Sequence, residues 1–107
     1  MTQRTKLPTR REAEIVTIES RHRGGKKFHL ATGEFEDGKP AELFVWGPDV
    51  GSHGDLILTE AATLLSIALQ YGMPLEEYAA NVQREKDGSP CTTWGEIIDA
   101  ISQEKVG

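Results

Sequence analysis

The chain has 107 residues, of which 37% are hydrophobic and 27% charged, and its formal net charge is −5. This length and composition favour a single globular domain with one hydrophobic core and exclude two domains. No segment is apolar enough to span a bilayer, and the N-terminus lacks the apolar run of a secretory signal. Because Cys91 is the only cysteine, we expect a cytoplasmic protein without disulfides or membrane contact.

Basic and acidic side chains are unevenly distributed. Residues 1–27 carry eight basic and three acidic side chains, whereas the remainder carries four and fourteen. Residues 1–12 are predicted to form a basic arm, and residues 13–107 a single domain. The basic first hairpin is compatible with nucleic-acid binding, but the acidic remainder would repel phosphates, so this interpretation is disfavoured.

Three β-strands are predicted from alternating apolar residues and turn signals. The first covers residues 15–18, and a Gly24-Gly25 turn joins it to a second strand that starts at Phe28. An Asp37-Gly38 turn leads to a third strand that ends at Trp46. The first half is therefore predicted to be a three-stranded antiparallel meander whose apolar face needs a cover.

Three helices are expected to supply that cover. A long helix is predicted from about residue 56 to residue 71, with Asp55 as its N-cap or as a first-turn acid, Gly72 as its C′ residue and Pro74 at N1 of the next helix. The second helix is predicted to extend through Val82. We expect the long helix to be buried around most of its circumference.

A third helix is predicted to begin at Thr93, because Thr93 and Glu96 have the spacing of a capping box. The predicted fold class is therefore α+β, a three-stranded antiparallel β-meander followed by a long central helix and two shorter helices packed on the sheet.

The long helix carries one polar stripe, which consists of Thr59, Thr63, Ser66 and Gln70 at spacings of four, three and four. Hydroxyls and an amide suit a packed contact with another part of the chain, a second copy or a ligand. Hydroxyls bonded to the helix's own carbonyls are an equally open explanation. The stripe is our candidate interface for a homodimer or a protein partner.

A second candidate site is the glycine-rich connector formed by Gly51, Ser52, His53 and Gly54. Backbone N–H groups ahead of a helix can bind an anion, and three side chains of the first hairpin would supply positive charge for a nucleotide. These side chains are Arg21, Arg23 and Lys27. No Gly-Lys-Ser/Thr ending follows, and Asp55 would oppose an anion, so a plain loop is the favoured interpretation.

Catalytic and metal chemistry find little support in the sequence. His22, His29 and His53 share no local spacing with a cysteine or carboxylate that would bind zinc. Alternation and the turn are expected to scatter the carboxylates Glu34, Asp37 and Glu42. We therefore predict no enzyme activity, no metal and no cofactor.

Several short segments occur in one known family in the same order. They are Thr32-Gly33-Glu34-Phe35, Asp37-Gly38, Ala41-Glu42-Leu43-Phe44, Gly51-Ser52, Leu65-Ser66, Leu69-Gln70-Tyr71-Gly72 and Pro74-Leu75. From about Leu7 to Leu75 the chain resembles the C-terminal, TSCPD-type domain of adenosylcobalamin-dependent (class II) ribonucleotide reductases, a domain that also occurs as short stand-alone proteins. The family's Thr-Ser-Cys-Pro-Asp string has only a reordered counterpart, Ser89-Pro90-Cys91-Thr92-Thr93, which leaves the role of Cys91 open.

The resemblance implies an accessory module rather than a reductase. Class II reductases need paired cysteines for re-reduction and a barrel that this chain is too short to hold, so their chemistry does not carry over. We expect a non-catalytic module that contacts a protein partner, either the large subunit of a ribonucleotide reductase or a second copy in a homodimer. The alternative is a regulatory or phage-encoded protein that binds a small ligand such as a nucleotide.

Overall fold

The structure is a computed structural model that describes Arg4 and residues 13–49 and 51–104. The basic arm predicted for residues 1–12 therefore lies outside the described residues, apart from Arg4. The strands are β1 (Ala13–Ser20), β2 (Lys26–Glu34) and β3 (Pro40–Trp46), and the helices are α1 (His53–Gln70), α2 (Leu75–Ala79) and α3 (Thr93–Glu104). None of the helices in the described ranges is long and apolar enough to cross a membrane.

The strands form an antiparallel sheet in the order β1-β2-β3, which confirms the predicted meander and the α+β class. A short 3-10 helix, Arg21–Arg23, follows β1. Gly24 and Gly25, at φ of 66° and 81°, then turn the chain into β2, and Gly38, at φ 86°, helps turn it into β3. These left-handed conformations favour glycine, and both turns fall where the sequence signals place them.

The inner face of the sheet carries the hydrophobic core. Alternation along β2 and β3 puts Phe28, Leu30, Leu43 and Val45 on this face, where all four are buried. The side chains from the helices that complete the core are Leu58, Ala62, Leu65, Leu69, Leu75, Ile97, Ile98 and Ile101. The helices therefore cover one face of the sheet, as predicted.

Helix α1 starts earlier than predicted because Ser52 is its N-cap, and of the two roles predicted for Asp55 the first-turn acid is confirmed. The Ser52 hydroxyl accepts a hydrogen bond from Asp55 N at 3.2 Å, so Asp55 is an acidic residue of the first turn. At the other end Gly72 is the predicted C′ residue, at φ 106°. Gly72 N donates to Leu69 O at 3.0 Å and Met73 N to Ala68 O at 3.1 Å, which is a Schellman motif.

The structure of the two shorter helices differs from the prediction in three details. Helix α2 ends at Ala79, before Val82, and Pro74 is its N-cap rather than its first helical residue. The capping box predicted for Thr93 is wrong, because Thr92 Oγ1 accepts the hydrogen bond from Gly95 N at 3.0 Å. Thr93 Oγ1 instead lies 2.7 Å from the hydroxyl of Ser20, a buried residue at the end of β1.

The expectation that α1 is buried around most of its circumference is also wrong. Leu56, Ile57 and Leu64 are 52%, 50% and 69% exposed. The buried residues of α1 lie on the side that faces the sheet and the core. Consequently α1 has a second, exposed apolar side.

Candidate functional site

The polar stripe of α1 is divided between the helix itself and strand β3. Thr59 and Thr63 each donate a hydrogen bond to the carbonyl one turn earlier, both at 3.0 Å. Ser66 Oγ accepts from Leu43 N at 2.8 Å, and the Gln70 amide, which is buried, donates to the carbonyl of Ala41 in β3 at 3.0 Å.

Ser66 and Gln70 therefore have a structural role in holding α1 against β3. Strand β3 is at the edge of the sheet, and an edge strand leaves backbone groups unpaired on its outer side. Ser66 and Gln70 satisfy two such groups, and Gln70 Oε1 also accepts from Arg4 Nε at 2.6 Å. The packed contact predicted for the stripe is therefore made, at its C-terminal half, with another part of the same chain.

The glycine-rich connector lies beside an ion cluster. This cluster, which we call the Arg23 cluster, comprises Arg23, Lys26, Asp49 and Asp55. Arg23 Nη2 lies 2.9 Å from Asp49 Oδ2 and 3.4 Å from Asp55 Oδ1, while Lys26 Nζ lies 2.8 Å from Asp49 Oδ2. Asp55, which is buried, also accepts from Asp49 N at 3.1 Å. The cluster thereby joins the β1–β2 turn to the start of α1.

Only one of the three basic residues predicted for this site reaches the connector. The Arg23 guanidinium lies beside Gly54 of the connector, and its centre is 5.4 Å from the centre of the Phe28 ring. Arg21 donates instead to Ser89 Oγ at 2.9 Å, and Lys27 is exposed and pairs in register with Glu19. Lys26 was not predicted, although strand alternation places it on the same side as the buried Phe28.

The electrostatics of the Arg23 cluster are balanced by two acidic and two basic side chains. The hydrogen bond from Lys26 lowers the pKa of the Asp49 carboxyl, with help from the charges of Lys26 and Arg23 and against the cost of partial burial. An incoming phosphate would have to compete with both carboxylates. Gly51 forms a turn at φ 85°, Ser52 is the N-cap, and His53 and Gly54 are exposed in the first turn of α1.

The histidines and Cys91 occupy separate structural positions. His22 Nε2 lies 2.8 Å from Pro90 O, and His29 Nδ1 lies 2.9 Å from Thr17 Oγ1. Burial and the neighbouring Glu85 raise the pKa of the Cys91 thiol. Within residues 13–49 and 51–104, no group of three or more His, Cys, Asp or Glu side chains is placed to hold a metal ion.

The face of the sheet opposite the core forms an exposed apolar surface. We call it the outer sheet face, and its main members are Ile15, Thr17, His29, Phe44 and Trp46, with the buried Ala31 between Ile15 and Phe44. Two cross-strand rows build it, Ile15-Ala31-Phe44 and Thr17-His29-Trp46. Ile15, Phe44 and Trp46 are 68%, 53% and 44% exposed, and the His29 and Trp46 ring centroids are 5.7 Å apart. Contiguous exposed apolar surface is typical of interaction sites.

The sequence profile of the TSCPD domain matches residues 3–104. The chain belongs to the TSCPD domain family. This confirms the resemblance stated above, which is weaker in sequence after Leu75, and the match continues through α3.

This TSCPD domain is similar to part of several vitamin B12-dependent ribonucleotide reductases. It is 40% identical to the Agrobacterium fabrum protein over 78 residues, 71% of this chain and 6% of the relative. Identity to the Bradyrhizobium diazoefficiens protein is 36% over 78 residues, 73% of this chain and 6% of the relative. For Rhodopirellula baltica it is 42% over 52 residues, 49% of this chain and 5% of the relative. The match thus spans about one-twentieth of the length of these curated relatives. No solved structure matches this chain.

Proposed function

We propose that this TSCPD domain is a non-catalytic accessory module that binds a ribonucleotide reductase polypeptide through its outer sheet face. The observation that carries the proposal is the exposure of Ile15, Phe44 and Trp46 in adjacent rows of an ordered sheet. The opposite face carries the core. Aromatic side chains are enriched at the centres of protein interfaces, where they dominate binding energy.

The outer sheet face is also well organised for binding. Trp46 stacks at a tilt against His29, which in turn is hydrogen-bonded to Thr17. Side chains held in this way lose little further rotamer freedom when a partner covers them. A partner with a complementary apolar surface would therefore gain contact area at low entropic cost.

The comparisons support a reductase as the partner class. In the relatives named above, the segment similar to this chain is a small part of a vitamin B12-dependent ribonucleotide reductase. The domain in those proteins is covalently joined to the remainder of the reductase. A reductase polypeptide is accordingly the partner that we propose for this chain.

The state of Cys91 supports a non-catalytic role. The thiolate is the reactive form of cysteine, and burial together with Glu85 disfavours it by raising the thiol pKa. Exchange between a thiol pair also needs a second cysteine, whereas Cys91 is the only one in the sequence. We propose that Cys91 takes no part in reduction.

Calorimetric titration of the chain into a purified vitamin B12-dependent reductase from the same cells tests the proposal. We expect binding that weakens at least about 30-fold when Phe44→Ser and Trp46→Ser are combined, since losing even one central aromatic residue costs about 2 kcal/mol or more. Leu64→Ser is the matched control, because it removes an exposed apolar side chain from α1. Cys91→Ser should also bind normally.

The outcomes separate clearly. Equal affinity of the wild type and the Phe44/Trp46 double variant would refute the outer sheet face as the binding surface. No heat of binding for the wild type would refute the reductase as partner. Circular dichroism of each variant establishes that the fold is retained, as expected for substitutions at exposed positions.

Nucleotide binding at the connector and a cytoplasmic location remain predictions. Arg23 and Lys26 already pair with Asp49 and Asp55, so a phosphate would have to displace these carboxylates. The exposed outer sheet face has no such competitor among the described contacts, which is why protein binding has the better support.

A further inference from the structure

A second apolar surface runs along the exposed side of α1. Its members recur at spacings of three and four residues and alternate in size. We call it the outer seam, and it consists of Gly54, Ile57, Ala61, Leu64, Ala68 and Tyr71. This spacing is that of the a and d positions of a heptad repeat, with every a position small and every d position large.

The large residues of the outer seam are exposed. Ile57, Leu64 and Tyr71 are 50%, 69% and 46% exposed, although each could bury most of its side chain in a helix pair. None of the seam residues is charged, and Glu60 lies beside the seam rather than in it. The side of α1 that packs into the core is formed by other residues, among them Leu58 and Leu65.

We propose that the outer seam binds the outer seam of a second copy of this chain, with the two α1 helices antiparallel. In antiparallel pairs each a position lies opposite a d position of the partner helix. Ala61 then faces Leu64 of the second copy, and Ala68 faces Ile57. A parallel pair would instead place large residues opposite large ones and small opposite small, which packs unevenly.

Self-complementarity of the outer seam identifies the occupant as a second copy, although the overall charge opposes association. The sequence carries a net charge of −5, so two copies repel each other over most of their surfaces. The six seam residues are themselves uncharged, and the charged Arg23 lies beside Gly54 at one end of the seam. Small and large residues each recur every seven positions along the outer seam. An antiparallel second copy therefore places a small residue opposite each large one, so the surface is complementary to itself under twofold symmetry.

The available area predicts a weak dimer. Since a large side chain can bury about 200 Å², the three large seam residues offer roughly 300 Å² of apolar surface per copy. Two copies would bury on the order of 600 Å² from these side chains, to which the flanks of the helices add. This lies in the range of weak interfaces, so association should depend on concentration. The dimer uses a different surface from the proposed reductase contact and goes beyond that function.

Sedimentation equilibrium tests the dimer. Between about 1 µM and about 500 µM, a range that brackets micromolar affinities, the wild-type chain should change from monomer to dimer. Leu64→Lys should weaken association at least about 30-fold, because it brings two buried charges together. Thr63→Lys is the matched control on the adjacent polar stripe and should associate normally, as should the Phe44→Ser and Trp46→Ser double variant.

Cysteine cross-linking tests the orientation in a Cys91→Ser background. A disulfide needs Cα atoms about 4.4–6.8 Å apart. A mixture of Ile57→Cys and Ala68→Cys chains should form a mixed disulfide-linked dimer under mild oxidation, whereas Ile57→Cys alone should not.

Three results would overturn the proposal. They are a wild-type chain that stays monomeric throughout, a dimer that Leu64→Lys leaves intact, or efficient cross-linking of Ile57→Cys to itself. A monomeric wild type that still binds the reductase would refute the dimer and leave the proposed function standing.

Discussion

Helix α1 presents two apolar sides that look alike in sequence and differ in the structure. The inner side, with Leu58, Ala62, Leu65 and Leu69, is buried in the core, whereas the outer seam is exposed. Leu64 and Leu65 are neighbours in the chain, yet they are 69% and 4% exposed. Periodicity identifies residues that share a side of a helix, but only tertiary packing decides which side its own chain covers.

The largest expected effect comes from truncating these two neighbours in turn. Leu65→Ala should lower the free energy of unfolding by about 2–5 kcal/mol, because it removes core contacts and leaves a cavity. Leu64→Ala should change it by no more than about 0.5 kcal/mol, as is usual for exposed positions. Urea unfolding at a protein concentration below the dimerisation range measures both.

A comparable loss of stability in the two variants would contradict this contrast. It would mean that Leu64 is covered in solution within a single chain. The proposed dimer would then lose its central side chain.

The features predicted best from the sequence depend on contacts that are close along the chain. The two β-turns and the Schellman glycine Gly72 are examples, since each requires a left-handed residue at a fixed position. The start of α3 is a counter-example. Thr92 and Thr93 are adjacent and chemically alike, so local sequence does not show which of them caps the helix. Thr92 is the cap, because the hydroxyl of Thr93 contacts Ser20, which is distant in the sequence.

In the candidate site, too, contacts between residues close along the chain are predicted better than distant ones. The hydrogen bonds of Thr59 and Thr63 to carbonyls four residues earlier are one of the alternatives that the sequence predicts for the stripe. The bonds of Ser66 and Gln70 to β3 join residues 23 and 29 positions apart, which local spacing does not reveal. Local patterns therefore located the stripe but not the β3 contacts that its C-terminal half makes.

Within the polar stripe, Ser66→Ala and Thr63→Ala should differ in their loss of folding stability by less than the Leu65→Ala and Leu64→Ala pair. Removing the Ser66 hydroxyl leaves Leu43 N without its acceptor at 2.8 Å, at an expected cost of about 1–3 kcal/mol. Thr63→Ala removes a hydroxyl bonded only to its own helix and improves helix propensity, so stability should stay within about 0.5 kcal/mol. Thermal unfolding followed by circular dichroism compares them, and equal losses would show that the bond to β3 contributes little.

The smallest expected effect concerns Asp49, which lies in the turn ahead of α1 and pairs with Arg23 and Lys26. Asp49 has a pKa below its usual value because of Lys26 and Arg23. A group whose pKa is depressed by folding stabilises the folded state above its unfolded pKa, about 3.9 for aspartate, and loses that contribution as the pH falls through the folded value. Asp49→Asn should therefore be less stable than wild type at neutral pH, and the difference should shrink below about pH 3.9.

Urea unfolding at pH 7 and pH 3 measures this change, with Glu60→Gln as a control that removes the same charge from an exposed site on α1. The effect of Asp49→Asn should also decrease with added salt, because Asp49 and Lys26 are partly exposed and screened by solvent. A difference that is independent of both pH and salt would show that Asp49 acts through its shape and neutral hydrogen bonds. The Arg23 cluster would then fix the start of α1 by packing alone, and the electrostatic account of this turn would be wrong.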